Sequence, residues 1–293
     1  MSKLKDCLCS LASKADGSFK TVHDRIKIVS RFERHLRDLN IQIRSMDNIK
    51  TKHIEGYVSH RLAQGITPRT IQNEMAALRA VLHLSGRDKL ISSERLTNRS
   101  LGIGNASRAG TKQAIPAEKF KQVLQVAQTR DKGFAAALQL ARVLGLRSQE
   151  AVQSAQSLKT WQTALDKGAT KLTVVFGTKG GRPRETTILN REQVRQAVTQ
   201  ALTIAEQRNG RLIDKPDLKT AMNSWRTQTI AVGLTGKHSP HSLRYAWAQE
   251  ALKHYQAQGF SREEARALTA MDLGHGDGRG RYVERVYSNS GEE

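Results

Sequence analysis

LTVVFGTKGGRPRETTIL, residues 172–189, is where the apolar period of this chain changes to that of a strand. Leu172–Phe176 and Glu185–Leu189 are rich in β-branched and aromatic side chains, and GTKGGRPR between them is a basic glycine–proline turn. Two β-prone runs joined by such a turn predict a hairpin. On either side the apolar residues recur three and four apart, which is the helical period. The fold class that follows is mainly α with a small β-sheet.

Upstream of the hairpin, GFAAALQLARVLGLRSQEAVQSA (133–155) reads as helical. So does a segment opening at Pro116 and running through Phe120, Val123, Leu124 and Ala127. Downstream, Ser261 and Glu264 predict a capping box over a helix carrying Ala265, Leu268 and Met271. Residues 97–115, TNRSLGIGNASRAGTKQAI, hold three glycines and little periodicity, the composition of a linker. Such a linker is long enough to let two domains wrap opposite sides of a duplex.

Before it, Val22, Ile26, Val29, Phe32 and Leu36 mark an amphipathic helix between Phe19 and Asn40. Thr51 opens a second helix with Ile54, Val58 and Leu62. The third is the best marked: Thr67 at the N-cap, Pro68 at the first position, Ile71, Met75, Leu78 and Leu82 along one stripe, and Gly86 as the stop. Arg69 and Arg79 fall off that stripe and are candidates to meet a polyanion. A chain of 293 residues suits two domains. The expected organisation is a basic helical domain over 1–96, a linker over 97–115, and a helical domain with one small sheet over 116–293.

Charge narrows the function. Forty-eight Lys and Arg against 27 Asp and Glu give a net +21. That excess favours polyanions through counterion release from phosphates. The basic residues are spread through periodic segments rather than massed in a tail, so the body of the protein is the expected footprint for DNA or RNA. There is no apolar run long enough to span a bilayer, and the basic opening lacks the apolar core of a signal peptide. Cys7 and Cys9 read as reduced, incidental thiols; as metal ligands they would have only His23 close in sequence. His238 and His241 have no carboxylate near them in sequence, so no metal site is expected there.

Four features of the second half appear in a fixed order: LGLRSQEAV (144–152), TKGGR (178–182), HSLR (241–244), and LGH (273–275) followed by two tyrosines. Together, after a basic helical domain, they resemble the tyrosine recombinase, or phage integrase, superfamily, and the resemblance covers nearly the whole chain. It implies a helical core-binding domain followed by a mixed α/β catalytic domain. The first arginine box places Arg147 and its acidic companion Glu150; the hairpin supplies Lys179; the second box gives His241 and Arg244; the third gives His275; and a tyrosine near the C-terminus is the nucleophile.

The implied chemistry requires these residue types. Attack of a phenol on a phosphodiester builds charge on the non-bridging oxygens, and two guanidiniums, Arg147 and Arg244, hold that charge in bidentate fashion without a metal or other cofactor. Glu150, three residues after Arg147, would hold its guanidinium in place. A free phenol titrates near about 10, so a base is needed, with His241 the candidate. Lys179 would protonate the departing 5′ oxygen and His275 would hydrogen-bond the phosphate. The product is a 3′-phosphotyrosyl enzyme whose bond energy permits religation without ATP. Arg182 and Arg184, beside Lys179, read as contacts to DNA backbone phosphates.

Tyr282 and Tyr287 both follow LGH, at seven and twelve residues, with the glycine-rich GDGRGR (276–281) between. The family's nucleophile typically follows an aliphatic residue and precedes a small polar one, as in Val286-Tyr287-Ser288. Tyr287 is therefore the expected nucleophile and Tyr282 the alternative. On one helix the two rings should point about 140° apart, so that only one faces the phosphate. Tyr245, where the family often has a second histidine, reads as packing. Six residues follow Tyr287, short for the C-terminal segment that relatives exchange between protomers.

The resemblance implies a homo-tetramer acting on two double-stranded DNA recombination sites through a four-way junction. It would serve integration, excision or inversion of a mobile element, in the cytoplasm and on the nucleoid of a prokaryote, or encoded by a phage. Rival readings are a non-catalytic helical DNA-binding protein with a recombinase-like fold, a type IB topoisomerase-like enzyme, and a metal nuclease.

Overall fold

The computed structural model describes residues 2–107 and 109–287. Ser288 and the rest of the tail, which entered the choice between the tyrosines, lie outside the described residues. The chain divides into two compact units, Met1–Ser107 and Arg108–Glu293.

The first unit is helical: α1 (Lys3–Lys14), α2 (Phe19–Asp38), α3 (Thr51–Ala63), α4 (Pro68–Leu84) and the single turn α5 (Asp88–Ile91). The sequence features that predicted α4 act as expected. The Thr67 side chain accepts from Thr70 N–H, Pro68 fills the first helical position, and Ile71, Met75, Leu78 and Leu82 are buried. Helix α1 was not foreseen. It buries Leu4, Leu8 and Ala12 against α2, and twelve residues at that spacing form a stable helix only when a partner takes their apolar face. Glu74 is a buried carboxylate of this unit, and it is engaged by Arg31, Arg61 and the Tyr57 hydroxyl.

The unit continues beyond residue 96, where the sequence placed the start of a linker. Leu101 and Ile103 are buried in the first core, and Gln72 Nε2 donates to Ile103 O at 2.6 Å. Arg79 serves this same segment: its half-buried guanidinium donates through Nη2 to Leu96 O and Asn98 Oδ1, at 2.7 and 3.0 Å, and so braces the unit. Arg69 is exposed, beside Gln72.

The second unit runs α6 (Ala117–Arg130), α7 (Lys132–Val143), α8 (Ser148–Gln153), α9 (Leu158–Asp166), strands β1 (Lys171–Val174) and β2 (Arg184–Thr187), then α10 (Arg191–Glu206), α11 (Leu218–Ala231), α12 (His241–Ala257), α13 (Arg262–Asp272) and α14 (Gly280–Tyr287). β1 and β2 pair antiparallel, with Leu172 opposite Thr186 and Val174 opposite Arg184. The strands are shorter than the β-prone runs, and Val175 and Phe176 turn outward with about 40% of their surface exposed. The capping box at Ser261 and Glu264 is present over α13 and Ala265 is buried, but Met271 is 53% exposed at the helix end.

The core of this unit gathers α7, α10 and the inner face of the hairpin. A second cluster joins α12, α13 and α14 through Trp247, Leu273 and Val283. Tyr245 belongs to that cluster, as its packing role predicted. The C-terminal ends of α7 and α13 and the N-terminal ends of α8 and α12 all converge beside it.

Candidate active site

Helix ends leave carbonyls and N–H groups without partners inside the helix, and here those orphan groups build the site. Arg147 is the N-cap of α8, extended at φ −73°, ψ 160°, and so lies outside the helix whose face the sequence reading shared between it and Glu150. The two still meet, because Glu150 is the third helical residue and folds back on the cap. Its Oε2 accepts Arg147 N–H at 2.8 Å and its Oε1 accepts Arg147 Nη1 at 2.6 Å. Arg147 Nη2 then donates to Leu273 O, at the end of α13.

Arg244 stands in the first turn of α12 and has no exposed surface. It donates to Gly145 O, to Leu273 O, and through Nε to the Tyr287 hydroxyl at 3.4 Å. Positive charge at the C-terminal end of a helix is favoured by the helix dipole, and α7 and α13 both end here. Burial, together with the neighbouring Arg184, lowers the Arg244 pKa to about 10, so the group keeps its charge at neutral pH.

Arg184 corrects the sequence reading. Placed among the basic hairpin residues, it was expected to touch DNA, yet it is only 6% exposed. Its guanidinium donates to both Glu150 oxygens and to the carbonyls of Asp272 and Gly145. Its partner on the hairpin, Arg182, is exposed and lines the cleft below. Burial on its own would raise the Glu150 pKa; hydrogen bonds and charge from Arg184, then Arg244, bring it down to about 2.

The hairpin is held close to the arginines at Gly177. That residue has φ +76°, and a Cβ there would lie 2.6 Å from the backbone of Gln149, so only glycine lets the strand end pass over the start of α8. Lys179 follows at the exposed tip. Lys179, Arg147, Arg182 and His275 line one cleft of about 600 Å³, with Met271 and Asp277 on its wall.

The Tyr287 ring is buried and its hydroxyl lies 3.1 Å from His275 Nε2. The His241 ring centroid is 6.1 Å from that of Tyr287. His241 keeps an exposed edge although protein crowds its other sides; that desolvation, then Arg244 and Arg147, lowers its pKa to about 4. Desolvation and the same arginines take His275 to about 3. Both imidazoles are therefore neutral at pH 7 and able to accept a proton. His275, assigned to the phosphate by the sequence reading, is the one within reach of the phenol.

Tyr282 does not point away as the helical angle suggested. Its ring packs at a tilt against His275, with centroids 4.6 Å apart, and lies 6.4 Å from the Tyr287 ring. Helical side chains lean toward the N-terminus, which carries Tyr287 back along α14 toward Tyr282. Only the Tyr287 hydroxyl, of the two, has a hydrogen bond to this cluster. His238 is engaged elsewhere, 3.0 Å from Lys119 Nζ. Among the described residues no group of three or more His, Cys, Asp or Glu is arranged to hold a metal ion, and no helix is long and apolar enough to cross a membrane.

Residues 1–91 match the phage integrase N-terminal family, and residues 102–250 match the Integrase family. No curated protein sequence matches. Among solved structures, the Tn1549 transposon integrase in complex with transposon right-end DNA superposes with a TM-score of 0.61 at 14% identity, over 97% of this chain and 95% of that one. A lambda integrase tetramer bound to a Holliday junction gives 0.63 at 18%, over 98% and 77%. XerH recombinase bound to its palindromic difH substrate gives 0.57 at 16%, over 96% and 91%. At these identities the likeness is one of fold. With the family matches covering both units and the arginine–histidine–tyrosine cluster in the second, the chain belongs to the integrase family of tyrosine recombinases, site-specific enzymes that break and rejoin DNA.

Proposed function

We propose that Tyr287 is the nucleophile and that the enzyme cuts each DNA strand by forming a 3′-phosphotyrosyl link. The observation that carries this reading is the Tyr287 hydroxyl, within hydrogen-bonding distance of both Arg244 Nε (3.4 Å) and His275 Nε2 (3.1 Å). The phenol oxygen attacks phosphorus as His275, neutral at pH 7, takes its proton; His241, its ring centroid 6.1 Å from that of the tyrosine, binds a non-bridging oxygen. The scissile phosphate enters by the cleft that Arg147, Lys179 and Arg182 line. Arg147 and Arg244 stabilise the charge that grows on it, and in this reading no metal is required because guanidinium supplies that charge. Lys179 protonates the 5′ oxygen as it leaves. Rejoining reverses these steps with a partner strand's hydroxyl.

The substrate in this reading is a pair of double-stranded DNA sites held by a homo-tetramer, and the task is integration, excision or inversion of a mobile element. The lambda integrase tetramer on a Holliday junction and the Tn1549 integrase on transposon-end DNA support it by shared fold. The test is covalent capture. The full chain is expressed in cells, adducts are isolated under denaturing conditions, the attached DNA is sequenced and the modified peptide mapped. DNA on Tyr287 at a recurrent sequence is the expected result. Attachment at Tyr282, or adducts undiminished in a Tyr287→Phe protein, would overturn the assignment.

A further inference from the structure

Three guanidiniums share one carboxylate in the second unit. Glu150 pairs with Arg147 at 2.6 Å, Arg184 at 2.7 Å and Arg244 at 4.0 Å, leaving a local excess of positive charge. Two of these arginines have assigned parts in the proposed chemistry. The third reaches both Glu150 oxygens with its guanidinium alone and is itself enclosed.

Arg184 is the first residue of β2, on the same hairpin as Lys179. Its side chain reaches four places at once: with the guanidinium, Glu150, the carbonyl of Gly145 that also accepts from Arg244, and the carbonyl of Asp272 at the end of α13; and, with its methylenes, the turn at Gly274. Gly274 has φ +65°, and a Cβ there would lie 2.8 Å from Arg184 Cδ, so the turn that presents His275 rests directly on this side chain. Asp272 is fixed in turn, its carboxylate accepting from the Tyr255 hydroxyl.

Stability is a poor reason for such an arrangement. Desolvating an ion pair consumes most of its attraction, and well-packed apolar side chains often hold a fold together as well. What an apolar residue cannot do is fix the carboxylate that orients Arg147, or add a third positive charge behind the phosphate site.

We propose that Arg184 is a positioning residue for strand cleavage: by holding Glu150 against Arg147 and supporting the Gly274–His275 turn, it sets the guanidinium geometry that the scissile phosphate meets. It borders the cleft beside Arg147 and Lys179, and the role proposed for it runs through Glu150 and the turn rather than through the reacting atoms. Its effect is on charge developing in the transition state, and so on the rate of cleavage rather than on DNA affinity.

This inference rests on the proposed phosphotyrosyl reaction, and the test separates the two. The probe is a duplex of the DNA sequence captured with the wild-type enzyme, made with either an ordinary phosphodiester or a charge-neutral methylphosphonate at the scissile position. Cleavage is followed under single-turnover conditions as covalent adduct, with DNA binding and thermal melting measured on the same proteins. Arg184→Met should slow cleavage of the phosphodiester by about 100-fold, the scale of one lost transition-state donor. DNA affinity should stay within a few-fold. On the methylphosphonate, where less charge needs stabilising, the deficit should shrink to within about fivefold. Arg184→Lys keeps the charge without the fork, and covers the case in which the methionine variant does not fold; it should show the same pattern at smaller amplitude.

Equal deficits on both substrates, a parallel fall in DNA affinity, or a lysine variant equal to wild type on the phosphodiester would overturn the proposal. A wild-type enzyme that forms no adduct at all would instead overturn the reaction on which it rests.

Discussion

The Tyr287 hydroxyl and His275 Nε2 lie 3.1 Å apart, while His241, the base expected from the sequence, stands with its ring centroid 6.1 Å from that of the tyrosine. In the proposed reaction the two histidines therefore exchange the parts that the sequence suggested. His275→Ala should slow adduct formation by about 10²–10⁴-fold, the usual range for a lost general base. The deficit in His275→Ala should be the larger at low pH, where hydroxide cannot replace the base. A His241→Ala enzyme with the larger deficit at low pH would restore the original assignment.

Both imidazoles must be neutral for these roles. Their pKa values are lowered to about 4 for His241 and about 3 for His275, so protonation sets in only well below the ordinary histidine value of 6.5. Single-turnover cleavage should show no histidine limb between pH 5 and 7 and should fall as pH drops through about 4. A limb near 6.5 would mean that the desolvation around the histidines is absent in the active complex.

The same shifts bear on stability. A histidine whose folded pKa lies below its unfolded value binds fewer protons when folded, so its site favours the folded state above pH 6.5 and works against it as pH falls toward the folded pKa. Glu150, lowered from 4.5 to about 2, adds a second loss as pH falls through that window. Melting temperature should therefore decline between pH 6.5 and 4.5 and more steeply below. The Glu150→Gln protein should lack the second step.

Arg147→Ala should reduce cleavage by about 10²–10³-fold while DNA affinity stays within a few-fold, because the side chain is partly open to the cleft and acts on transition-state charge. Cleavage by the unaltered enzyme should persist in EDTA. Complete loss in EDTA with recovery on adding magnesium would sink the guanidinium mechanism, and equal modest falls in affinity and cleavage would make Arg147 an ordinary phosphate contact.

Gly110 ties the segment before α6 to α14, the helix that carries Tyr287. Its N–H donates to Arg285 O at 3.2 Å, and a Cβ at this position would collide with the carbonyl oxygen of Val286 and lie 2.6 Å from the Tyr245 hydroxyl. Gly110→Ala should lower the stability of the second unit by about 1–3 kcal/mol, the scale of overpacking, and slow adduct formation through displacement of α14. An alanine protein with unchanged melting and unchanged cleavage would show that α14 shifts without cost.

Where an element's own residues carried its reason to form, the sequence was legible. Thr67 and Pro68 start α4, Ser261 and Glu264 cap α13, and the glycine–proline turn joins β1 to β2, each by a contact within a few residues. Helix α1 escaped because its stability comes from α2, and the strands ended early because Val175 and Phe176, though β-prone, have no partner across the hairpin. Met271 falls on the apolar stripe of its helix yet faces the cleft, since periodicity marks a face without saying what covers it.

By itself the sequence determined the helical class with one hairpin and the basic character, and it singled out the arginine, histidine, lysine and tyrosine residues proposed for the site, because their order and local spacing survive in one dimension. Only the tertiary structure decided which histidine meets the phenol, that Arg184 is buried against Glu150, and that Tyr282 and Tyr287 share His275. Those relations join residues far apart in the chain, from Gly145 to Arg244 and from Arg184 to Asp272. They are set by where helix ends converge and which carbonyls they leave unpaired, and that is a property of packing rather than of any local pattern.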